Sequence, residues 1–485
     1  MNRRQFLEKA GVTIAGTMCT GMVARRDKKV YNGDSSKPKY PNLVFVFADQ
    51  WRAQATGYAG DSNAITPNLE KLAKESITFT NAVSCCPVCS PYRASLMTGQ
   101  YPLTHGVFLN DVQLNSPAIT IAQAYNASGY DTAYIGKWHL DGHGRNSYVP
   151  LERRLSFKFW RGFECCHNYN DSFYYADEPV KLRWNGYDAV SQTQMAQQYI
   201  KEHVVKENPF ALFLSLGPPH DPYNSAPEKY KRLFSDSEKL RLRPNIPSEF
   251  YEKSRHDLCG YYSHIAALDD CVGSLLDTLR DCGIEKNTIF VFTSDHGDML
   301  YSQGVQKKQQ PWNEAVCVPF LLRYPAVMGL RKKKISTPFN SPDIMPTLLG
   351  LCGVGIPKTV EGNDFSSIIT GERNPPEGIA ALIACYSPFG EWPRDQGGKE
   401  YRGIRTEKYT YVKDMQSPWL LYDNETDPYQ QSNLCNKLQY KELQKKLENI
   451  LIQKLQETND GFLSGYDYIE KWGYTVDEAG NVPYL

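Results

Sequence analysis

The sequence predicts an α/β fold: a large, mostly parallel or mixed central sheet flanked by helices, followed by a smaller C-terminal α+β subdomain with a short antiparallel sheet. Three observations predict it. Continuous apolar runs such as "NLVFVFAD" at 42–49 have the composition of strands buried on both faces. Amphipathic stretches such as "ITPNLEKLAKESI" at 65–77 alternate with them. Beyond residue 372 the alternation gives way to closely spaced strands and one long helical pattern.

Taken in order, the runs share a property. The first stops at Asp49-Gln50. "ITFTNAVS" at 77–84 stops at a cysteine-rich stretch containing Cys89. "YDTAYIGKWHL" at 130–140 leads into Lys137 and His139, "PFALFLSLGPPHDP" at 209–222 into His220, and "NTIFVFTSDHGDM" at 287–299 into Asp295 and His296. Open α/β sheets place their ligands beyond the carboxyl ends of the strands. Five such endings therefore collect two acids, three histidines, a lysine and a cysteine on one sheet edge. In the C-terminal part, "GIAALIACYS", "YRGIRTEKYTYVKD" and "WLLYDNETDPYQQSNL" read as strands, and "YKELQKKLENILIQKLQET" as a helix with Leu443, Leu447, Ile450, Leu451 and Leu455 on one face. Pro and Gly cluster after "FSSIITGER", which divides the chain into a catalytic region at 38–372 and a subdomain at 373–485.

Composition narrows the function. Lys plus Arg equals Asp plus Glu, 54 each, so no global charge draws the chain to nucleic acid or an anionic membrane. The N-terminus, residues 1–28, has Arg3-Arg4, a mildly apolar run from Ala10 to Ala24, and Arg25-Arg26. That layout predicts a twin-arginine-like export signal, hence an exported, periplasmic bacterial protein and the export machinery as a partner. The run is too short and too rich in Gly and Thr to span a bilayer, and no stable membrane insertion is expected. Thirteen cysteines are too sparse for a disulfide scaffold, and with Cys19 and Cys89 set aside an odd number remains, which leaves at least one thiol unpaired within the chain.

The stretch "SCCPVCSPYRASLMTGQYP" at 84–102 admits three readings. As half of a zinc site, Cys86 and Cys89 need a second ligand pair, and the adjacent Cys165-Cys166 has the wrong spacing. As a redox pair, the C-x-x-C lacks the small-domain context. The third reading looks forward from Cys89. Ser90 suits an N-cap, Pro91 a first helical turn and Gly99 a helix end. Residue 89 then precedes a helix N-terminus, which favours an anion, and Arg93 lies one turn along, able to bond back toward residue 89.

Cys89-Ser90-Pro91-Tyr92-Arg93, followed by Leu96-Met97-Thr98-Gly99, resembles the signature of the type I, formylglycine-dependent sulfatases of the alkaline phosphatase superfamily. "ADQWR", "GKWHL", "GPPHDPY", "TSDHGDM" and "PWNEAVCVPFLLRYP" occur in that family's order, and "LLYDNETDPYQQSNL" is similar to its C-terminal subdomain. The resemblance implies an alkaline-phosphatase-like sandwich and a sulfate ester hydrolase. It implies that a maturation enzyme converts Cys89 to formylglycine, whose hydrate attacks sulfur. It further implies metal ligation by Asp49, Gln50, Asp295, His296 and residue 89, with Ca2+ as the cation. Gln50 stands where many sulfatases have Asp, and His296 where they have Asn. The imidazole therefore admits Mn2+ or Zn2+ as well.

By the same resemblance, Lys137 binds sulfate, His139 is the base that helps release it, and His220 is the acid on the leaving oxygen. A second lysine falls in "QKKQQPW", with Lys308 favoured by spacing over Lys307, and Arg93 holds residue 89. Tyr92 departs from the family's usual Ser. His105, Asp141, His143, Arg145, Tyr223 and Trp312, just beyond the strand-end motifs, are candidates for contacting substrate. The expected substrate is a sulfated carbohydrate. The rival readings are a phosphonate monoester hydrolase or phosphodiesterase of the same superfamily, an arylsulfatase, and a non-catalytic glycan binder.

Overall fold

In the computed structural model, residues 40–483 are described, and the export-signal motif at 1–28 lies outside them. Eight strands form the central sheet: β1 (Asn42–Asp49), β2 (Ile77–Phe79), β3 (Asp131–Lys137), β4 (Phe159–Phe163), β5 (Phe210–Pro219), β6 (Thr288–Ser294), β7 (Phe320–Arg323) and β8 (Lys333–Ile335). Their spatial order is β8-β2-β7-β6-β1-β5-β3-β4. All neighbours run parallel except β7, which is antiparallel to both β6 and β2. The sheet is therefore mixed, as expected.

β1 lies at its centre and is fully buried, because side chains on both faces meet helices. On one face Val44, Val46 and Ala48 pack toward α1 (Pro67–Lys74) and the long helices α3 (Asp188–His203) and α4 (Tyr251–Asp281). On the other, Leu43, Phe45 and Phe47 join a core that takes in α2 (Cys89–Thr98) and reaches the C-terminal strands.

Two details depart from the sequence reading. "ITFTNAVS" is not one strand. It breaks at Thr80-Asn81 into β2 and a two-residue strand, Ala82–Val83, which pairs instead with Phe339–Asn340. Helix α2 begins at Cys89 itself, after Val88, so Ser90 is not its cap: the Ser90 hydroxyl donates to the His139 carbonyl at 2.7 Å and its amide to Asn110 at 3.0 Å. Gly99 ends that helix in the left-handed conformation, φ 67°, as expected.

The C-terminal region forms an antiparallel sheet, β9 (Ala381–Cys385), β10 (Tyr401–Arg405), β11 (Tyr409–Asp414) and β12 (Pro418–Asp423), with the helix Lys441–Glu457. It is stitched to the larger part by Ala384 N–H donating to the Cys85 carbonyl at 2.8 Å and by Asn340 Nδ2 donating to the Leu382 carbonyl at 3.0 Å. Among the described residues all twelve cysteines are thiols, and no helix is long and apolar enough to cross a membrane. Cys85 and Cys86 are buried core residues.

Candidate active site

The carboxyl ends of β1, β3, β5 and β6 and the first turn of α2 converge on Cys89. Sharp turns just past the strands aim the side chains. Gln50 (φ 69°) and His139 (φ 59°) adopt left-handed backbone that a non-glycine residue rarely takes. Gly136, at φ 104°, has no alternative, since a Cβ there would lie 2.0 Å from the Ser215 carbonyl oxygen on β5.

On one side of Cys89 sit Asp49, Asp295 and His296. One donor atom from each of the four lies within 4.8 Å of the others, and all four residues are buried. Cys89 Sγ is 3.5 Å from Asp49 Oδ1 and 3.3 Å from His296 Nε2. His296 Nδ1 faces the Gly297 carbonyl at 3.0 Å. A carbonyl only accepts, so Nδ1 carries the proton and Nε2 presents a lone pair to the centre. Burial keeps this imidazole neutral despite Asp295 beside it.

Two buried carboxylates require counter-charge. Arg93 supplies it: Nη2 reaches Asp49 Oδ2 and Asp295 Oδ2, each at 3.1 Å, while Nη1 donates to the Lys137 carbonyl at 2.8 Å and to Ser215 at 2.7 Å. Both Nη groups of Arg93 are thus engaged by the two acids, the Lys137 carbonyl and the Ser215 hydroxyl, not by residue 89. Lys137 adds a second cation, 2.7 Å from Asp49 Oδ2. Burial pushes the Asp49 carboxyl up, and the Lys137 and Arg93 cations outweigh it, holding it well below the usual carboxylate range.

On the other side lie Lys137, Lys308, His220 and His139. Lys137 Nζ and Lys308 Nζ stand 3.7 and 3.5 Å from Cys89 Sγ. Lys308 Nζ also approaches His220 Nε2 at 2.9 Å and Gln50 Oε1 at 3.2 Å. Lys307 turns away and pairs with Asp221 at 2.7 Å. His139 Nε2 meets Asp111 Oδ1 at 3.0 Å, and its Nδ1 is buried without a hydrogen-bond partner. As a thiol, Cys89 is raised to about 12 by burial and by Asp49, against the pull of the two lysines, so the unmodified side chain is a poor nucleophile.

These groups open into a cavity of about 340 Å³ lined by Cys89, Lys137, His139, His220, Lys308 and Arg145, together with residues no motif indicated: Asn110, His167, Phe389, Glu391 and Asn481. His167 stacks on His220 with ring centroids 4.3 Å apart. Asp298 is a further residue that no motif indicated. It accepts from Gln50 Nε2 at 2.6 Å, from the Lys307 amide at 3.1 Å and from the Tyr223 hydroxyl, tying the β1 turn to the lysine loop. Its place three residues beyond Asp295 in "SDHGD" was the available signal.

Of the six substrate-contact candidates, Arg145 lines this cavity, braced by Asp111 at 2.9 Å, and Tyr223 lines a neighbouring one. The other four are elsewhere. His105 is buried behind α2, bonded to Ser95 at 3.1 Å and to the Val107 amide. Asp141 is buried in an ion pair with Arg153, and His143 bonds the Asp141 carbonyl at 2.6 Å. Trp312 packs on Trp419 below the C-terminal sheet. Each comes just after a motif in sequence but points away once the chain turns.

The chain matches the Sulfatase family over residues 41–354 and the C-terminal region of N-sulphoglucosamine sulphohydrolase over 302–457. It is 43% identical to an ulvan-active sulfatase of Formosa agariphila, over 93% of this chain and 88% of that protein. It is 31% identical to an endo-4-O-sulfatase of Bacteroides thetaiotaomicron, over 82% and 89%. A solved structure from work on glycosaminoglycan metabolism by B. thetaiotaomicron superimposes with a TM-score of 0.79 at 29% identity, over 92% of this chain and all of that one.

Proposed function

The chain belongs to the sulfatase family and is a sulfuric ester hydrolase, and on that premise we propose that it removes sulfate from a carbohydrate using a divalent metal and a formylglycine matured from Cys89. The observation that carries this reading is the placement of Cys89 between a buried acid–imidazole cluster and a cationic cavity. The names of the relatives, ulvan-active sulfatase and endo-4-O-sulfatase, support a glycan substrate.

The donor set fits a divalent cation. Asp49 and Asp295 offer carboxylate oxygens, His296 turns an unprotonated Nε2 inward, and Cys89 Sγ marks where the oxygens of a formylglycine hydrate would stand. A cation held by Asp49, Asp295, His296 and residue 89 would supply positive charge to the nucleophilic oxygen and to the sulfate, with Ca2+, Mn2+ and Zn2+ all compatible with this mixed set. Gln50 Oε1 faces Lys308 here and is the fifth candidate ligand. The formylglycine hydrate would supply one hydroxyl to attack sulfur and a second to expel sulfate.

The remaining work falls to side chains. Lys137 and Lys308, flanking residue 89, bind the sulfate oxygens and stabilise charge as it spreads in the transition state. His220 Nε2 and Lys308 Nζ share a proton that Lys308 brings, and that proton passes to the departing sugar oxygen. His139 Nδ1, unpartnered and buried, accepts the proton when sulfate leaves, while Asp111 fixes the ring through Nε2. Arg93 holds the two acids in place. Residues 373–485 close the cavity rim through Phe389, Glu391 and Asn481. The twin-arginine-like segment supports export to the periplasm, with the maturation enzyme acting on the cysteine motif.

Two measurements test this. Mass spectrometry of the peptide at 84–100 should show replacement of the Cys89 CH2SH group by an aldehyde. A panel of sulfated sugars and phosphate diesters should show turnover of the sugars, and a preference for the diesters overturns the reading.

A further inference from the structure

We propose that a second cavity beside the catalytic one is a subsite for an uncharged sugar residue adjoining the residue that carries the sulfate. The inference rests on the carbohydrate reading above. This cavity, about 740 Å³, is lined in part by Asp221, Tyr223, Asn224, Phe234, Ser235 and Ser237. Its size falls within the several-hundred-Å³ range of ligand sites.

Its position gives it a role. Asp221 lines the second cavity, whereas His220 and Glu391 line the first, and one atom from each of these three lies within 4.8 Å of the others. Lys307 and Lys308 divide in the same way. The partition is thus one side chain thick, built from the Asp221–Lys307 ion pair at 2.7 Å. The departing sugar oxygen must lie beside His220 and Lys308 to receive its proton. Whatever that sugar is linked to on this side extends over the partition into the second cavity.

The lining suits a sugar. Tyr223 and Phe234 contribute apolar ring surface to the wall, and Asn224, Ser235 and Ser237 offer hydrogen bonds to hydroxyls. Charge selects which sugar. Three carboxylates, Asp221, Glu252 and Asp257, face two lysines, Lys231 and Lys307. Lys307 is taken by Asp221, and Lys231 pairs with Glu228 at 3.4 Å. His256 sits 3.0 Å from Asp257. A sulfated or uronic residue would meet surplus negative charge, and an uncharged one would not.

The test compares kcat/KM of the matured enzyme on a sulfated monosaccharide, on the same sugar extended by a neutral residue, and on it extended by a uronic acid. The neutral extension should raise kcat/KM about tenfold, equivalent to ~1.4 kcal/mol, and the uronic extension should not. Ser235→Trp, at an exposed lining position, should abolish that gain while leaving monosaccharide turnover unchanged. Asn224→Ala should reduce it. The proposal is overturned if extension brings no gain, if the gain survives Ser235→Trp, or if the uronic extension is preferred. Failure to turn over any sulfated sugar, of any length, removes the carbohydrate reading and the subsite with it. Turnover of the monosaccharide without a gain on extension removes the subsite alone.

Discussion

Lys308 Nζ stands 2.9 Å from His220 Nε2, while His220 Nδ1 faces the Asp221 carbonyl at 2.9 Å. The carbonyl fixes the proton on Nδ1, so the imidazole accepts from the ammonium. Burial and the neighbouring Lys308 hold His220 neutral, well below its ordinary range. The two residues thus act as one proton-donating unit. His220→Ala and Lys308→Ala should each lower kcat/KM on a sugar sulfate by roughly 10²- to 10⁴-fold. The double variant should be little worse than the poorer single one. On an aryl sulfate with an acidic phenol, which needs no protonation, His220→Ala should lose much less. Steady-state kinetics on the two substrates checks all three.

Cys89→Ser should leave the fold intact by circular dichroism and reduce turnover to background. An unconverted serine offers a single hydroxyl, so sulfate transferred to it has no internal route off. Multiple turnovers by Cys89→Ala would exclude the proposed chemistry altogether.

Asp298 touches neither the Cys89 cluster nor the cavity, yet it orients Gln50 and the Lys307 backbone. Asp298→Asn should therefore weaken metal affinity or activity by about 10- to 100-fold, the usual cost of losing an outer partner of a ligand. Chelation by EDTA should inactivate the wild type, and titrating Ca2+ and Mn2+ back into both proteins measures the shift.

Arg93 is the shared counter-ion of Asp49 and Asp295 at 0% exposure. Removing one partner of a buried charge network leaves uncompensated charge, at about 3–5 kcal/mol. Arg93→Ala should show that loss in urea unfolding. Arg93→Lys, which keeps the charge but cannot fork to both acids, should fall between it and the wild type.

Asp188 opens helix α3 fully buried, and burial raises its carboxyl from 3.8 to about 8. A raised native value means that the folded state binds the proton more tightly than the unfolded chain. The associated stability is complete below about pH 4 and is lost as pH rises through about 8, with a slope of at most ~1.4 kcal/mol per pH unit for this one proton. Melting temperature should decline from pH 5 to 9, and Asp188→Asn should flatten that decline.

Much of the site was legible because its residues sit where apolar runs end. Burial on both faces forces a central strand to be continuously apolar, so the first polar residue marks the sheet edge. Asp49, Lys137, His220 and Asp295 all sit at such run ends, and the spacing to Pro311-Trp312 favours Lys308 over Lys307, whose side chain the fold turns toward Asp221. The course of the chain beyond each strand end was not legible. His105, Asp141, His143 and Trp312 are as close to motifs as Arg145 is, yet only Arg145 of these five faces the cavity. Direction there depends on turns such as φ 59° at His139, which local composition does not encode.

The sheet, its chemically armed edge and the family are all readable from the chain's residues in order, because hydrophobic periodicity and short motifs are local properties. Packing alone sets Arg93 against the two acids and Asp298 against Gln50, and brings Phe389, Glu391 and Asn481 to the rim. The cause is distance along the chain. Arg93 and Asp295 are 202 residues apart, and a charge or donor chooses its partner from what packing brings within about 3 Å, which no window of sequence contains.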